Sequence, residues 1–75
     1  MDRESVVALI KRIMVEEANI PAESISEDST FPTEDAQRLM ISARISWETN
    51  SVLVINAPAE VTVGSIADQV MRQVP

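Results

Sequence analysis

Apolar residues recur at helical spacing in three separate segments of this 75-residue chain. Spacings of three and four residues place apolar side chains on one face of an α-helix, whereas a half-buried β-strand would need strict alternation. The sequence therefore predicts helices over residues 3–18, 34–48 and 62–73. A chain this short supports a single hydrophobic core. We expect one domain over residues 1–75 with an all-α fold, a small three- to four-helix bundle.

The first and last segments show this periodicity most clearly. We expect the first helix to end before Pro21, because proline disfavours the helical conformation in the residue that precedes it. In the last segment, Thr62 is a suitable N-cap. Gly64, the only glycine, follows in the first turn and indicates a close backbone approach. The predicted stripes are Val6, Leu9, Ile10, Ile13 and Met14 in the first helix and Val63, Ile66, Ala67, Val70 and Met71 in the last.

The middle segment has two apolar faces instead of one. We expect the inward face to be the stripe at helical spacing, which contains Ala36, Leu39, Met40, Ala43 and Trp47. Ile41 and Ile45 form an i, i+4 pair on a second face. The interpretation that we favour makes them core residues through a slightly different helix register. The alternative is that they form an exposed apolar strip for a partner.

The connections between the helices also contribute to the expected core. Residues 19–33 are predicted to be a long, ordered loop, and residues 52–55 a short extended run that contributes alternate side chains. The expected core includes Ile10, Ile13, Phe31, Leu39, Ile66 and Val70. On this interpretation, Leu39→Ala should cost about 2–5 kcal/mol of folding free energy.

Composition excludes several classes of function. The chain has no cysteine and no histidine, so disulfides, thiol catalysis and ordinary zinc sites are excluded, and we expect no metal. Its net charge of −6 argues against nucleic-acid binding and either favours basic partner surfaces or only maintains solubility. Adjacent acids such as Glu34 and Asp35 are interpreted as solvated surface charge, so we do not expect an enzyme. Without disulfides the compartment is not fixed, and a reducing cytoplasm is the natural assumption. No signal sequence or long apolar run is present, so we expect no membrane insertion. We also expect a monomer.

Two parts of the sequence resemble acyl and peptidyl carrier proteins. Residues 7–14, then Ile20-Pro21-Ala22-Glu23-Ser24-Ile25 and Asp28-Ser29-Thr30-Phe31, are similar to the first helix and loop of that family, and residues 61–70 to its last helix. Together these segments comprise 28 of the 75 residues, in the family's order. The resemblance implies a bundle of acyl-carrier-protein type with a long first loop. Its third helix would be truncated, because at most one turn fits between residues 55 and 61.

The chain departs from this family at the start of the second helix. Carrier proteins have an Asp-Ser-Leu-like tripeptide there, and its serine carries 4′-phosphopantetheine. Here Phe31 is followed directly by Pro32-Thr33-Glu34-Asp35-Ala36. Matching the apolar pattern places Asp35 at the serine position, and a shift of one residue places Ala36 there. Neither side chain can form the phosphodiester, so we expect no cofactor.

The resemblance therefore implies a non-catalytic carrier-like module that acts through a protein partner. The expected partner is an enzyme of a biosynthetic system of the fatty acid, polyketide or peptide-like type. By resemblance, the partner-binding residues lie on the second helix: Asp35, Arg38, Ile41, Arg44 and Ile45. The alternative is a functional acyl or aminoacyl carrier with 4′-phosphopantetheine at an atypical site. Thr33 lies at the helix entrance, whereas Ser42 and Ser46 lie too far inside the helix.

Overall fold

The computed structural model describes residues 2–55 and 58–73, and within them the chain forms three α-helices. We name them α1 (Arg3–Ala18), α2 (Asp35–Thr49) and α3 (Val63–Gln73). Short 3-10 turns at Ala22–Ser24 and Pro58–Glu60 lie in the connections. The described residues contain no β-strand, only an isolated bridge between Thr30 and Thr62. The predicted all-α fold and its three helices are confirmed.

α1 packs against both of the other helices. At its start, the backbone N–H of Ser5 donates to Asp2 Oδ1 at 2.8 Å, and this hydrogen bond lowers the pKa of Asp2 below its usual value. The helix ends at Asn19, whose φ of 55° is left-handed. Asparagine tolerates that conformation better than most residues. The predicted end before Pro21 is confirmed, and Asn19 is the C-cap.

The core is almost entirely aliphatic and draws side chains from all three helices and from the first loop. The predicted core residues Ile10, Ile13, Phe31, Ile66 and Val70 are buried. In the extended run, Leu53 and Ile55 are half-buried while Val52 and Val54 are exposed, so the predicted alternation is also confirmed. The prediction for Leu39 is wrong, because its side chain is 66% exposed.

The N-terminus of α3 is joined to the first loop by backbone hydrogen bonds. The N–H of Val63 donates to the carbonyl of Ser29 at 3.0 Å, and that of Gly64 donates to the carbonyl of Glu27 at 2.9 Å. A Cβ atom at position 64 would lie 3.2 Å from the same Glu27 oxygen. The close approach predicted for the only glycine is confirmed.

Thr62 is the N-cap of α3, as predicted. The N–H of Ser65 donates to Thr62 Oγ1 at 3.1 Å, and the N–H of Thr62 donates to Ser65 Oγ at 3.0 Å. The N–H of Ile66 donates to the Thr62 carbonyl at 3.1 Å. With the two bonds to the loop, all four N–H groups of the first turn have an acceptor.

The described part of the chain measures 31 × 26 × 20 Å, with a radius of gyration of 11.0 Å. In this part, no helix has both the length and the apolar character that crossing a membrane requires. Because α1 packs against both α2 and α3, the three helices form one bundle.

Candidate functional site

α2 turns Ile41 and Ile45 towards the core. Both side chains are 0% exposed, and Thr49 continues the buried face one turn further. The hydroxyl of Thr49 donates to the carbonyl of Ile45 at 2.6 Å, so this polar side chain is satisfied inside the buried face. The interpretation of Ile41 and Ile45 as core residues is confirmed. The alternative of an exposed apolar strip is wrong, and neither residue is available to a partner in this conformation.

The opposite face of α2 is apolar and lies in solvent. Leu39 is 66% exposed, Met40 is 51% exposed and Trp47 is 88% exposed, and the small residues Ala36 and Ala43 between them are also exposed. We call these five residues the outer stripe. They were expected to form the inward face, and this expectation is wrong. The two stripes lie on opposite sides of one helix, so only one can face α1.

Ion pairs join α2 to α1 in this orientation. Arg44 Nη1 donates to Glu16 Oε1 at 2.7 Å and to Glu17 Oε1 at 3.0 Å. These hydrogen bonds, from Glu16 first and then Glu17, raise the pKa of the Arg44 guanidinium above its usual value. Arg12 on α1 pairs with Glu48 on α2 at 2.8 Å. A half-turn of α2 would break these contacts and bury Trp47 in place of the two isoleucines.

The N-terminus of α2 is the place where a carrier protein would have its serine. Asp35 is the first residue of the helix, and its carboxylate pairs with Arg38. Arg38 also donates to the carbonyl of Thr33 at 3.2 Å, so its guanidinium holds the first turn together. Ala36 follows, exposed to solvent. Neither Asp35 nor Ala36 offers a hydroxyl at this position.

The five residues expected to bind a partner therefore do not form one surface. Asp35 is exposed, but Arg38 and Arg44 are ion-paired within the chain, and Ile41 and Ile45 are buried. The exposed apolar surface of α2 is instead the outer stripe. Sequence reasoning found its residues but assigned them to the core. Ala36, Met40, Ala43 and Trp47 are four, three and four residues apart, which indicates an amphipathic helix. This spacing does not indicate whether the stripe packs against the same chain or against another molecule.

A groove lies beside the outer stripe, between α2 and the extended run. Leu53 and Ile55 form one wall, and Leu39 and Ala43 belong to the other. Ser42 also lines the groove. Its hydroxyl oxygen is buried and has no hydrogen-bond partner among the residues that the structure describes. Arg38 and Ser46 line the groove as well. The outer stripe and this groove together form the candidate site, a mostly apolar surface.

The candidate site has no feature of a metal centre: nowhere in residues 2–55 and 58–73 do three or more acidic side chains come close enough to hold a metal ion. Comparison with known proteins adds no family. The chain matches no protein-family model, no curated protein and no solved structure.

Proposed function

We propose that this protein is a non-catalytic interaction module that binds a protein partner through the outer stripe of α2. The observation that carries the proposal is Trp47, the only tryptophan of the chain, which stands 88% exposed in line with Leu39 and Ala43. Tryptophan is enriched among the residues that dominate binding energy at protein interfaces. A rigid helix presents it here, so little conformational entropy is lost when a partner covers it.

The exposed apolar side chains of α2 lie next to one another instead of being scattered over the surface. Scattered apolar residues are normal on a protein surface, but a contiguous apolar patch is characteristic of an interface. In the outer stripe, the large side chains of Leu39 and Trp47 lie on either side of the small Ala43. The groove wall formed by Leu53 and Ile55 continues the apolar surface. A partner element that fills this shape would exclude water from Trp47.

Both arginines of α2 are already paired within the chain. Arg44 is held by Glu16 and Glu17, and Arg38 is held by Asp35. A partner that used these arginines would have to break existing ion pairs. The proposed contact is therefore apolar, centred on Trp47, with Asp35 at its edge.

The proposed descent is from the acyl and peptidyl carrier proteins. It is supported by the helix order, by the long first loop and by the single 3-10 turn at Pro58–Glu60, where those carriers have a small third helix. Asp35 or Ala36 at the serine position supports a module without a 4′-phosphopantetheine arm. The partner class that follows from this descent is an enzyme of a fatty acid, polyketide or peptide-like biosynthetic system.

Site-specific photo-cross-linking followed by titration tests the interaction. A photoreactive residue at position 47 should capture a protein that the same residue at position 52 does not. Val52 is the matched control because its side chain is also apolar and exposed but lies beside Gln69 and Gln73 of α3. The captured protein is then purified and its affinity measured against single variants.

The titration decides the proposal. Trp47→Ala should weaken binding about 30-fold, which corresponds to about 2 kcal/mol, whereas Val52→Ala should change it less than about twofold. Equal affinities for the two variants would show that the outer stripe is not the binding surface. Capture of the same protein from positions 47 and 52 would also show that the outer stripe is not the binding surface.

Intact-mass measurement tests the loss of the arm. After incubation with coenzyme A and a promiscuous phosphopantetheinyl transferase, the wild-type protein should keep its mass. Uptake of the arm by an Asp35→Ser variant alone would support descent from a carrier. Stoichiometric addition of one arm to the wild-type chain would instead establish the alternative of a working carrier with an atypical attachment site.

A further inference from the structure

Two glutamine side chains of α3 pair with the backbone of the extended run. Gln69 accepts from the N–H of Val54 at 2.8 Å and donates to its carbonyl at 2.8 Å. Gln73 accepts from the N–H of Val52 at 2.8 Å and donates to its carbonyl at 2.7 Å. Each side-chain amide thus takes the place that a neighbouring β-strand would take.

The pairing works because two different spacings coincide. Residues four apart in an α-helix are separated by about 6 Å along its axis. Residues two apart in an extended chain are separated by about 6.6 Å, and their N–H and C=O groups point to the same side. The amide of Gln69 therefore lies opposite the backbone of Val54, and the amide of Gln73 lies opposite that of Val52.

Among the residues that the structure describes, few other contacts hold this run in place. The side chains of Val52 and Val54 are mostly exposed, and only Leu53 and Ile55 pack partly against the core. The core itself is made by the three helices and by Ile25, Phe31 and Val61 of the connections. Separating residues 52–55 from α3 would break the four glutamine bonds and expose little fully buried apolar surface.

We propose that residues 52–55 form a strap, latched to α3 by Gln69 and Gln73, that opens as a unit while the three helices stay folded. Because Leu53 and Ile55 form one wall of the groove beside the outer stripe, opening would widen that groove. This consequence for binding rests on the proposed function. The opening itself does not, and it is measured without any partner.

Amide hydrogen exchange read by nuclear magnetic resonance tests the opening. In the wild-type protein, the N–H groups of Val52 and Val54 should be protected, but less than those of buried α1 residues such as Ile10. Their exchange should also be insensitive to low denaturant concentrations, because a local opening exposes little new surface. Exchange of Val52 and Val54 at the rate and denaturant dependence of Ile10 would contradict the proposal.

Variants of the latch give the second measurement. Gln69→Met with Gln73→Met removes the hydrogen-bonding atoms while retaining side-chain length and helix propensity. Protection of Val52 and Val54 should fall at least tenfold while protection of Ile10 remains. Unchanged protection at Val52 and Val54, or an equal loss at Ile10, would overturn the latch.

Gln69→Glu with Gln73→Glu supplies a rescue by pH. A protonated carboxyl group both donates and accepts, as the amide does, whereas a carboxylate only accepts and repels the carbonyl oxygen. Since an unperturbed glutamate has a pKa of about 4.3, the strap should be open at pH 7 and latched again near pH 3. Gln37→Glu on α2 is the control, with no change expected at Val52 or Val54. A protection factor that does not recover at pH 3 in the double variant, while the wild type stays protected there, contradicts the proposal.

Discussion

Ile41 and Ile45 lie fully buried against the core, whereas Leu39 on the same helix is mostly exposed. Hydrophobicity does not distinguish these three residues, since leucine and isoleucine are similar in size and polarity. What distinguishes them is the direction in which each projects from α2, with Ile41 and Ile45 facing the core and Leu39 facing solvent. The sequence showed two apolar faces on α2, but choosing the inner one required the packing of α2 against α1.

A pair of truncations on α2 tests this assignment. Ile45→Ala removes a fully buried side chain and should lower the free energy of unfolding by about 2–5 kcal/mol. Leu39→Ala removes an exposed side chain and should change it by no more than about 0.5 kcal/mol. Urea denaturation of both variants measures the difference. If Leu39→Ala is the more destabilising of the two, the helix faces the other way.

At the scale of elements, the ends of the helices follow local rules that the sequence displays. Thr62 caps α3 as its side chain predicts, and Gly64 fits against Glu27 because it has no Cβ. The latch on residues 52–55 was not predictable in this way. Glutamine at positions 69 and 73 is compatible with any exposed helix face, and only the placement of the extended run beside α3 gives these side chains their role.

The cap of α3 has a measurable contribution. Thr62→Ala leaves the N–H of Ser65 without its acceptor and should lower the free energy of unfolding by about 0.5–2 kcal/mol. Thr33→Ala is the matched control, because Thr33 is exposed and contributes its carbonyl, which the substitution retains, to Arg38. Thermal denaturation compares the two. Equal melting temperatures for both variants would show that the cap contributes no stability.

For the whole molecule, helical periodicity was sufficient to predict three helices around one aliphatic core. The predicted surface was less accurate, because a stripe at helical spacing indicates that one side of a helix is apolar and not whether the chain itself covers that side. On α1 and α3 the stripe meets the rest of the chain. On α2 the stripe from Ala36 to Trp47 is exposed to solvent, which is the basis of the proposed function.

The fluorescence of Trp47 tests most directly whether the outer stripe is exposed in the free protein. Trp47 is the only tryptophan in the chain, so the signal reports on the outer stripe alone. In the free protein, its emission maximum should lie close to that of tryptophan in water, and acrylamide should quench it nearly as efficiently as a free tryptophan derivative. Both values should be independent of protein concentration. A blue-shifted emission that acrylamide hardly quenches would show that Trp47 is buried in the isolated chain. That result would contradict the claim that the outer stripe is exposed in the free protein.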